Sequence, residues 1–561
     1  EGALSNEVPK IGVFICHCGG ELKESLSISE LIEGTKQLGE VSHVEEMGLA
    51  CLPEDLNQIK MKIGEHGINR IVIAGCTHRE IRKTMEEMAK GMGFNPYLIE
   101  YANIREQCAF VHRDLPKLAT EKAMALIRMS VERARRIQPI RKGSQKVEKR
   151  GLVVGGGVAG MTASLRLAEQ GYEVYLIEKE KELGGNLRES FYTLKGSSPQ
   201  ALLQDLIQKV EGHSSIHPYF QTEIIGFEKR NGQYKTKIRR PDGEEFIDHG
   251  ALILATGGKE VTPKEYLYGE DTRVITQRQL EKVIHLDDGG LKEIRSVVMI
   301  QCVGSRDEEH PYCSRVCCGH AVKNALKLKE QNPHINVYVL YRDVRTYGFY
   351  ETYYYEARGK GVVFIRYDLE KKPKVTLENG QLRVSIFDPA MRSEVNLSAD
   401  RIILSAGVEP NDNRDLAKIF DVDLNPDGFF MEANPKSAPL DSVDRGKFFC
   451  GLCHSPNFIE DTISQGNGAA ARAGALLSRE VVEEKAYLAY VIKRLCCGCG
   501  LCVSACPYGA RVLNEEEVKA EVVDALCQGC GNCVVACRNA ASQQRNFEKG
   551  LNLTALDAVM D

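Results

Sequence analysis

The sequence lacks several features that would assign a protein to a broad class. No run of about 18 apolar residues occurs, so no transmembrane helix is predicted. Glu1 to Lys10 contain no apolar core, so no secretory signal peptide is predicted. Positive charge is not in excess, because the formal net charge is -5, and a nucleic acid is therefore not an expected partner. Tryptophan is absent, which distinguishes none of these classes.

Cysteine, in contrast, is abundant, with 20 residues in a chain of 561. The cysteines fall in clusters with metal-ligand spacing, and they do not form the scattered framework of a disulfide-rich protein. We therefore expect most of them to be iron–sulfur ligands in a reducing cytoplasm. The remaining composition is that of an ordinary globular protein, with 43% hydrophobic and 27% charged residues. The length allows about three to five domains.

The C-terminal block carries the most specific pattern. The spacing C-x2-C-x2-C-x3-C occurs at Cys496, Cys499, Cys502 and Cys506, and again at Cys527, Cys530, Cys533 and Cys537. Two such runs in tandem are typical of a ferredoxin module with two [4Fe-4S] clusters, in which the fourth cysteine of each run ligates the other cluster. We therefore predict that Cys537 joins the first three cysteines and that Cys506 joins the second three. Zinc sites or disulfides are the weaker alternatives, and Cys497 is predicted to be spare.

The order of motifs predicts an α/β protein of several domains. The predicted boundaries are a small cysteine-containing α/β domain at 1–135, a basic linker at 136–149, a flavoprotein block at 150–485, a ferredoxin domain at 486–547 and a tail at 548–561. The two halves of the ferredoxin domain are the clear internal repeat. Single electrons are therefore expected to move through this chain.

A dinucleotide-binding turn opens the flavoprotein block. Residues 151–160 read GLVVGGGVAG, which places G-x-G-x-x-G at Gly155, Gly157 and Gly160 between an apolar strand and a helix predicted at 161–170. These glycines, with Val158 and Ala159, allow a backbone to approach a pyrophosphate at the helix N-terminus. A second strand, at 173–177, ends before Glu178 and Lys179, and Glu178 is predicted to bind a ribose hydroxyl.

Later segments favour FAD over NAD as the ligand of this turn. The segments are LGGN with Gly185 and Asn186, the ATG of Ala255, Thr256 and Gly257, the return segment SAGVEPN at 405–411, and Asp461, Thr462 and Gln465 before a small-residue helix predicted at 466–474. Together they resemble the thioredoxin-reductase-like, two-dinucleotide-binding flavoprotein fold. In such flavoproteins the aspartate contacts the ribityl chain, and the helix N-terminus faces the pyrimidine side of the flavin ring.

The second dinucleotide site of such a fold is missing. The NAD(P)-like subdomain, predicted at about 262–400, has Gln301-Cys302-Val303-Gly304 after its strand, where the second glycine motif belongs. Further cysteines follow at Cys313, Cys317 and Cys318. Four thiols in this spacing favour a third [4Fe-4S] cluster, with a redox disulfide or buried apolar cysteines as alternatives. We therefore expect cluster input in place of hydride input.

At this point the chain resembles a known family, the HdrA-type flavin-bearing subunit of heterodisulfide reductases. The resemblance rests on QCVGSRDEEHPYCSRVCC at 301–318, FICHCG at 14–19, NIREQC at 103–108 and the tandem C-terminal runs. It implies a cluster on Cys302, Cys313, Cys317 and Cys318, and FAD as the site of electron bifurcation. Some members carry an additional ferredoxin inserted in the flavoprotein block, whereas residues 225–255 here contain no cysteine. The chain therefore resembles a shorter, bacterial-type version.

The same resemblance implies partners. They are HdrB/HdrC-like subunits, ferredoxin, and an electron-input module consisting of an MvhD-like protein with a hydrogenase, formate dehydrogenase or NADH module, all around a homodimeric core. No catalytic side chain is predicted, because FAD is the redox centre. Two other functions stay open: an NAD(P)H-dependent disulfide oxidoreductase, and a passive electron-wiring scaffold.

The first block has its own cysteines, Cys16, Cys18, Cys51, Cys76 and Cys108. Cys16, Cys18 and Cys76 close predicted strands, and strand ends in an open α/β sheet converge on one crevice. A further cluster on Cys51, Cys76, Cys108 and one of Cys16 or Cys18 is one hypothesis, and small buried residues are the other. His17 and His78 are predicted to be turn residues.

One further pair, Cys450 and Cys453, forms C-x2-C before the flavin helix. A redox disulfide there is the weaker interpretation, because no basic residue or helix N-terminus is evident that would lower a thiol pKa.

Overall fold

A computed structural model describes residues 8–77, 79–142, 144–230, 233–286, 293–483, 485–524 and 526–560. The chain divides into two compact units. One unit combines Glu1–Gly143 with Glu483–Asp561, and the other consists of Ser144–Val482. The N-terminal and C-terminal blocks of the sequence therefore belong to the same unit, which the order of motifs does not indicate.

The N-terminal part of the first unit is an α/β sheet of four parallel strands in the order β2-β1-β3-β4. The strands are β1 (Ile11–Cys16), β2 (Val41–Met47), β3 (Arg70–Gly75) and β4 (Ile99–Asn103), and the helices are α1 (Ile28–Lys36), α2 (Pro53–His66), α3 (Arg79–Gly91) and α4 (Pro116–Arg136). All residues of β1 and β3 are buried, as expected for central parallel strands covered on both faces. Helix α2 begins at Pro53 and ends where Gly67 adopts a φ of +60°.

Three basic residues at or near the start of the predicted linker lie in the last turn of α4, where cations interact favourably with the helix dipole: Arg133, Arg135 and Arg136. Arg133 donates to Glu100 at 3.1 Å, and Arg135 pairs with Glu132 at 2.6 Å. Arg133 therefore holds α4 to β4 within the first unit, and the Arg135 pair lies within α4 itself.

The second unit contains two parallel sheets. Its strands are β5 (Ser144–Lys146), β6 (Arg150–Val154), β7 (Glu173–Ile177), β8 (Ile216–Tyr219), β9 (Glu223–Arg230), β10 (Gln233–Arg240), β11 (Gly243–His249), β12 (Ala251–Leu254), β13 (Gly258–Glu260), β14 (Val274–Thr276), β15 (Ser296–Val303), β16 (Asn336–Tyr341), β17 (Val363–Arg366), β18 (Lys374–Glu378), β19 (Gln381–Asp388), β20 (Ser393–Ala399), β21 (Arg401–Ala406), β22 (Val408–Pro410), β23 (Lys447–Phe449) and β24 (Val481–Glu483). Its helices are α5 (Val158–Glu169), α6 (Pro199–Gly212), α7 (Gln277–Leu286), α8 (Cys317–Gln331), α9 (Glu351–Gly359), α10 (Arg414–Phe420) and α11 (Ile459–Leu477).

The sheets have matching topologies. The first has the order β23-β12-β6-β7-β8, and the second has the order β14-β21-β15-β16-β17. Each sheet is interrupted by an antiparallel three-stranded insertion, β9–β11 in the first and β18–β20 in the second. The antiparallel pair β13 and β22 connects the two halves. This arrangement agrees with the predicted two-dinucleotide-binding fold, and β9–β11 occupies most of the cysteine-free segment 225–255.

The C-terminal part of the first unit has small paired elements. They are β25 (Ala489–Val491), β26 (Arg511–Asn514), β27 (Lys519–Val522), β28 (Ser542–Gln544), α12 (Leu501–Ser504), α13 (Asn532–Val535) and α14 (Lys549–Met560). Strand β25 pairs with β28, and β26 pairs with β27, both antiparallel. Helices α12 and α13 each follow a glycine with positive φ, Gly500 at +75° and Gly531 at +82°.

The predicted tail contains helix α14, which packs against α4. Arg133 donates to Asn552 at 2.6 Å, and Leu551 is buried with Leu98 and Ile137. Within the described part of the chain, no helix is both long enough and apolar enough to span a membrane.

Candidate flavin and iron–sulfur sites

The glycine turn lies between β6 and α5. Gly155 has a φ of +109°, and a Cβ added to it would lie 2.3 Å from the carbonyl oxygen of Ala255. A Cβ on Gly160 would lie 1.8 Å from the carbonyl oxygen of Gly155. A Cβ on Gly157 would meet no heavy atom within 4 Å. Two of the glycines are therefore required by close backbone contacts, whereas Gly157 leaves space at the N-terminus of α5, where a pyrophosphate fits.

Glu178 follows β7 and lies beside this turn. Its side chain is buried, with Oε2 accepting from the Gly156 amide at 2.7 Å and Oε1 accepting from the Glu180 amide at 2.9 Å. The carboxylate is thus held in one orientation next to the turn, as a ribose-binding acid requires. The neighbouring Lys179 is exposed, and its nearest carboxylate oxygen is that of Glu180 at 4.0 Å.

The other predicted flavin segments meet around the same turn. Gly157 forms a bridge with Gly184, and a Cβ on Gly185 would lie 3.5 Å from Gly157 Cα. Asn186 donates to the carbonyl of Gly258 at 2.7 Å. Asn411 donates to the carbonyl of Thr256 at 2.7 Å, so the ATG segment contacts the last residue of the return segment.

The flavin helix begins earlier than predicted. Helix α11 starts at Ile459, so Asp461, Thr462 and Gln465 lie in its first two turns and do not precede it. Gln465 accepts from the Gly451 amide at 2.8 Å, and a Cβ on Gly466 would lie 2.8 Å from the carbonyl oxygen of Ala159. The small residue Gly466 therefore allows α11 to pack closely on α5.

The four cysteines of the NAD(P)-like subdomain line one small cavity. Cys302, Cys313, Cys317 and Cys318 share it with Ser305, Arg306, Arg315, Asp343 and Arg345. Cys302 lies within β15, where its φ is +62° and the pairing with β21 is irregular, and Cys317 opens α8. The cavity thus lies between a central strand and the following helix, the position of the glycine turn in the first sheet.

Among the thiols of this cavity, that of Cys317 is buried and the other three are half-buried. Burial raises the pKa of Cys302 and Cys317, and it raises that of Cys318 to about 11. The Arg306 guanidinium opposes this rise at Cys302, whose sulfur lies 3.9 Å from Nη1. A metal-ligating cysteine is a thiolate, and the arginines that line the cavity would favour that charged form.

Arg315 connects this cavity with the flavin helix, a role that sequence reasoning missed. Its guanidinium donates to Asn457 at 2.8 Å and to the Tyr347 hydroxyl at 2.9 Å, and it lies 3.6 Å from the Asp461 carboxylate. The same side chain lines the cysteine cavity. The available signal was a basic residue between two predicted ligands.

The ferredoxin cysteines form two cavities in the crossed arrangement. One is lined by Cys496, Cys499, Cys502 and Cys537, together with the exposed Cys497, and the other by Cys506, Cys527, Cys530 and Cys533. Backbone amides point at the sulfurs, with Ala520 donating to Cys496 at 3.4 Å and Ser542 donating to Cys537 at 3.3 Å. The Ala520 bond lowers the pKa of Cys496.

The N-terminal cysteines separate into two places. The thiols of Cys16 and Cys18 lie 3.9 Å apart, and the hydrogen bond from Cys18 lowers the pKa of Cys16 to about 7. Hydrogen bonds to Cys16 and Cys76 raise the pKa of Cys18 far above its usual range, so these three thiols meet at the ends of β1 and β3. Partial burial raises the pKa of Cys51, and the nearby Cys16 and Cys76 add to the rise.

Cys108 points elsewhere, because its buried thiol donates to the carbonyl of Ala119 at 2.9 Å. The hypothesis that includes Cys108 in the N-terminal ligand set therefore requires a rearrangement. His17 caps a turn by accepting from Gly20 at 2.7 Å, and His78 lies outside the described residues.

Cys450 and Cys453 are fully buried free thiols. Burial raises the pKa of Cys450 well above its usual range and that of Cys453 to about 11. Cys453 donates to the carbonyl of Leu254 at 3.2 Å. A reactive thiol needs the opposite environment, so this pair has the properties of core residues.

Known proteins match this chain over most of its length. A model of the pyridine nucleotide-disulphide oxidoreductase family matches residues 149–300, and a model of the 4Fe-4S dicluster domain matches residues 489–538. A CoB–CoM heterodisulfide reductase iron-sulfur subunit of the HdrA type from Methanopyrus kandleri is 32% identical, over 90% of this chain and 92% of its own. The chain belongs to the HdrA family of heterodisulfide reductase subunits.

Another member and a solved structure are also similar. The HdrA-type subunit of the H(2):CoB-CoM heterodisulfide,ferredoxin reductase of Methanothermobacter marburgensis is 30% identical over 90% of both chains. The crystal structure of T. acidophilum thioredoxin reductase matches with a TM-score of 0.41 and 16% identity, over 59% of this chain and 98% of its own.

Membership of the HdrA family confirms the predicted class of protein. The chain is an oxidoreductase that carries FAD in a thioredoxin-reductase-like flavoprotein fold and [4Fe-4S] clusters in a C-terminal dicluster domain. It is an electron-transfer subunit of heterodisulfide reductase type.

Proposed function

We propose that this chain divides electrons from a two-electron donor module between ferredoxin and a higher-potential acceptor subunit. The observation that carries the proposal is the four-cysteine cavity at the end of β15, where a nicotinamide-binding fold would have its glycine turn. The relative from Methanothermobacter marburgensis is named for both a heterodisulfide and ferredoxin, which is consistent with such a division.

The residues of the flavin site have distinct roles in this proposal. Gly155 and Gly160 close the turn, Gly157 leaves room for the pyrophosphate, and Glu178 binds the ribose. When bound, FAD exchanges electrons in pairs or singly, which allows it to join a pair donor to one-electron clusters. The thiolates of Cys302, Cys313, Cys317 and Cys318 would hold the nearest cluster.

Arg315 contacts both the cysteine cavity and the flavin helix α11. Its guanidinium lines the cysteine cavity and contacts Asn457 and Asp461 at the start of α11. Because Arg315 also adopts a φ of +58°, its backbone is held in a conformation that non-glycine residues rarely adopt. In this proposal Arg315 orients the cluster cavity relative to the flavin helix.

The remaining parts serve as contacts with other proteins. The two clusters of the C-terminal domain would exchange electrons with ferredoxin or with HdrB/HdrC-like subunits, and the input module would be an MvhD-like protein with a hydrogenase, formate dehydrogenase or NADH module. We place this assembly in the cytoplasm, around a homodimeric core.

Coupling of the two electron acceptors tests the proposal. The anaerobic complex is supplied with its donor and ferredoxin, with and without the higher-potential acceptor, and ferredoxin reduction is followed by absorbance. We expect ferredoxin reduction only when both acceptors are present. Reduction that proceeds equally well without the second acceptor would contradict bifurcation and favour a passive electron-wiring role.

A second experiment, a titration with NAD(P)H, tests the alternative of an NAD(P)H-dependent disulfide oxidoreductase. The isolated chain is mixed with NADH or NADPH, and the flavin absorbance is recorded. We expect no direct bleaching of the flavin, because Gln301, Cys302 and Val303 replace the glycines of the second turn. Rapid and complete bleaching would favour the alternative.

A further inference from the structure

A buried arginine lies between the two thiol cavities of the ferredoxin domain. Arg511, the first residue of β26, is 3% exposed and lines both cavities. An ion is costly to bury unless charge or hydrogen bonds compensate for lost water. The position of Arg511 therefore needs a physical reason.

The protein supplies hydrogen-bond partners for only part of this guanidinium. Its Nη2 donates to the hydroxyl of Ser542, which is also buried. Among the described residues, its Nε and Nη1 have no hydrogen-bond partner. Buried donors without partners are rare in folded proteins, and these two belong to a side chain that borders the thiols of both ligand sets.

The two halves of the ferredoxin domain carry different residues at the position of Arg511. Arg511 stands five residues after Cys506, and Ser542 stands five residues after Cys537, so the two occupy equivalent positions in the two halves. They meet through one hydrogen bond. One half of the domain therefore contributes a cation at the position where the other contributes a neutral hydroxyl, and the pair adds one positive charge between the cavities.

We infer that Arg511 donates the N–H groups of Nε and Nη1 toward cluster sulfur atoms and raises the reduction potentials of the two [4Fe-4S] clusters. A [4Fe-4S] cluster with four thiolates is an anion, and it becomes more negative when it takes up one electron. A nearby cation and hydrogen bonds to sulfur stabilise the reduced state. The inference rests on the crossed ligand sets of the proposed function, and it does not depend on bifurcation.

The test is a redox titration of the complete, anaerobic chain followed by EPR. Dithionite supplies one electron to each cluster, and the readout is the spin-coupled signal produced by two neighbouring reduced clusters. In Arg511→Gln, we expect the ratio of reduced to oxidised cluster at a fixed ambient potential to fall at least about tenfold, which equals about 59 mV for a one-electron couple. In Arg511→Lys, which keeps the charge, we expect a change below about threefold.

A second cation serves as the matched control. Arg538 lines the first cavity but is exposed, so water screens its charge. We expect Arg538→Gln to change the ratio less than about threefold. Because a guanidinium keeps its proton in proteins, the effect of Arg511 should also be the same at pH 6.5 and pH 8.

Several outcomes would overturn the inference. Unchanged reduction potentials in an Arg511→Gln variant with full iron content would contradict this inference and leave the ligand sets intact. An equal shift in Arg538→Gln would do the same. Loss of iron from both Arg511→Gln and Arg511→Lys would show a role in assembly instead. A wild-type chain without two spin-coupled clusters would overturn the ligand sets, and this inference with them.

Discussion

The two parallel sheets of the flavoprotein unit have matching strands, but their central strands lead into different sites. Val154 of β6 pairs with Leu254, and Ile300 of β15 pairs with Leu404, so Val154 and Ile300 occupy equivalent positions. After Val154, three glycines lead directly into α5. After Ile300, β15 continues through Cys302 to Val303, and a longer loop at 304–316 with Cys313 precedes α8.

This difference shows how one fold position can serve two kinds of redox chemistry. Ligands of open α/β sheets bind at the carboxyl ends of the strands, where the loops can vary without disturbing the core. In the first half, a short turn brings a helix N-terminus to a dinucleotide. In the second half, a longer loop carries thiols instead of the glycines, and in the proposed function these thiols hold a cluster that transfers single electrons.

We expect the largest effect from a substitution in the glycine turn of the first sheet. In Gly160→Ala, the new Cβ would collide with the carbonyl of Gly155, so the turn cannot close. We expect the flavin content of the anaerobically purified chain to fall at least about tenfold, as overpacking of this kind costs about 1–3 kcal/mol in addition to the lost ligand contacts. The measurement is the ratio of flavin absorbance to protein.

Two other glycines provide controls for this change. Gly157→Ala should lose flavin while the chain stays folded, because its Cβ fills only the space of the pyrophosphate. Gly212→Ala, at the exposed end of α6 with no neighbour within 4 Å, should retain flavin. A flavin-replete Gly160→Ala protein would contradict the assignment of the turn.

The second prediction concerns a substitution in the cysteine cavity of the second sheet. In Cys317→Ser, one buried ligand of the proposed cluster is lost, and we expect about four irons per chain to disappear while the flavin remains. Iron, sulfide and flavin analysis of the anaerobic protein measures this loss. Cys497→Ser changes an exposed, spare cysteine and should lose no iron. An unchanged iron content in Cys317→Ser would remove Cys317 from the ligand set.

A third change tests the connection between the halves. Arg315→Gln removes the ion pair with Asp461 but keeps flavin and iron bound. We expect electron transfer between flavin and cluster in a single turnover to slow on the order of tenfold, since small displacements of redox partners have large effects on rate. Stopped-flow absorbance follows the two cofactors separately, and the flavin potential should shift as well.

Arg345 provides the matched control for this variant. It lines the same cavity, but its guanidinium pairs with Asp343 at 3.5 Å and not with the flavin helix. Arg345→Gln should change the rate less than about threefold. Equal effects of the two variants would mean that the charge of the cavity matters and that the contact with α11 does not.

The smallest expected effect concerns the antiparallel insertions. His249 of β11 is fully buried, with one ring nitrogen 2.8 Å from Thr236 and the other 3.0 Å from the carbonyl of Ala251, whereas Ala399 stands at the equivalent position of β20. Burial lowers the pKa of His249 from 6.5 to about 3. Its contribution to stability is therefore complete above pH 6.5 and is lost as the pH falls toward 3.

Acid should accordingly weaken the FAD half. Between pH 7 and pH 5 we expect His249 to account for about 2 kcal/mol of lost stability, since each unit of pKa difference corresponds to about 1.4 kcal/mol. Thermal release of flavin, followed by fluorescence at the two pH values, measures this loss. His249→Gln should be less sensitive to acid, and an identical loss in the variant would contradict the assignment.

Several sites could be predicted from local spacing. The crossed cavities of the ferredoxin domain follow from two runs of cysteines, because a short loop positions three thiols around one centre. The glycine turn and the strand Glu173–Ile177 follow from local pattern in the same way. The predicted start of α11 lies seven residues too late. The small residues at 466–474 mark the contact of α11 with α5 and not the first residue of the helix.

Other features needed long-range packing and had no clear signal in the chain. Helix α14 packs against α4, and Cys108 points away from the other N-terminal thiols because its thiol donates to Ala119 of α4. The sequence predicted the distribution of ligand types along the chain, but not which distant segments share a unit.

By itself, the sequence determined the flavin turn, the spacing of the thiols and the loss of the second glycine motif, because these depend on covalent geometry over a few residues. The tertiary structure decided which side chains from distant segments meet. Arg315 reaches α11, and Arg511 meets Ser542 between two cavities, only after the strands that carry them have packed. Local sequence specifies where cofactors can bind, whereas packing specifies the charges that surround them.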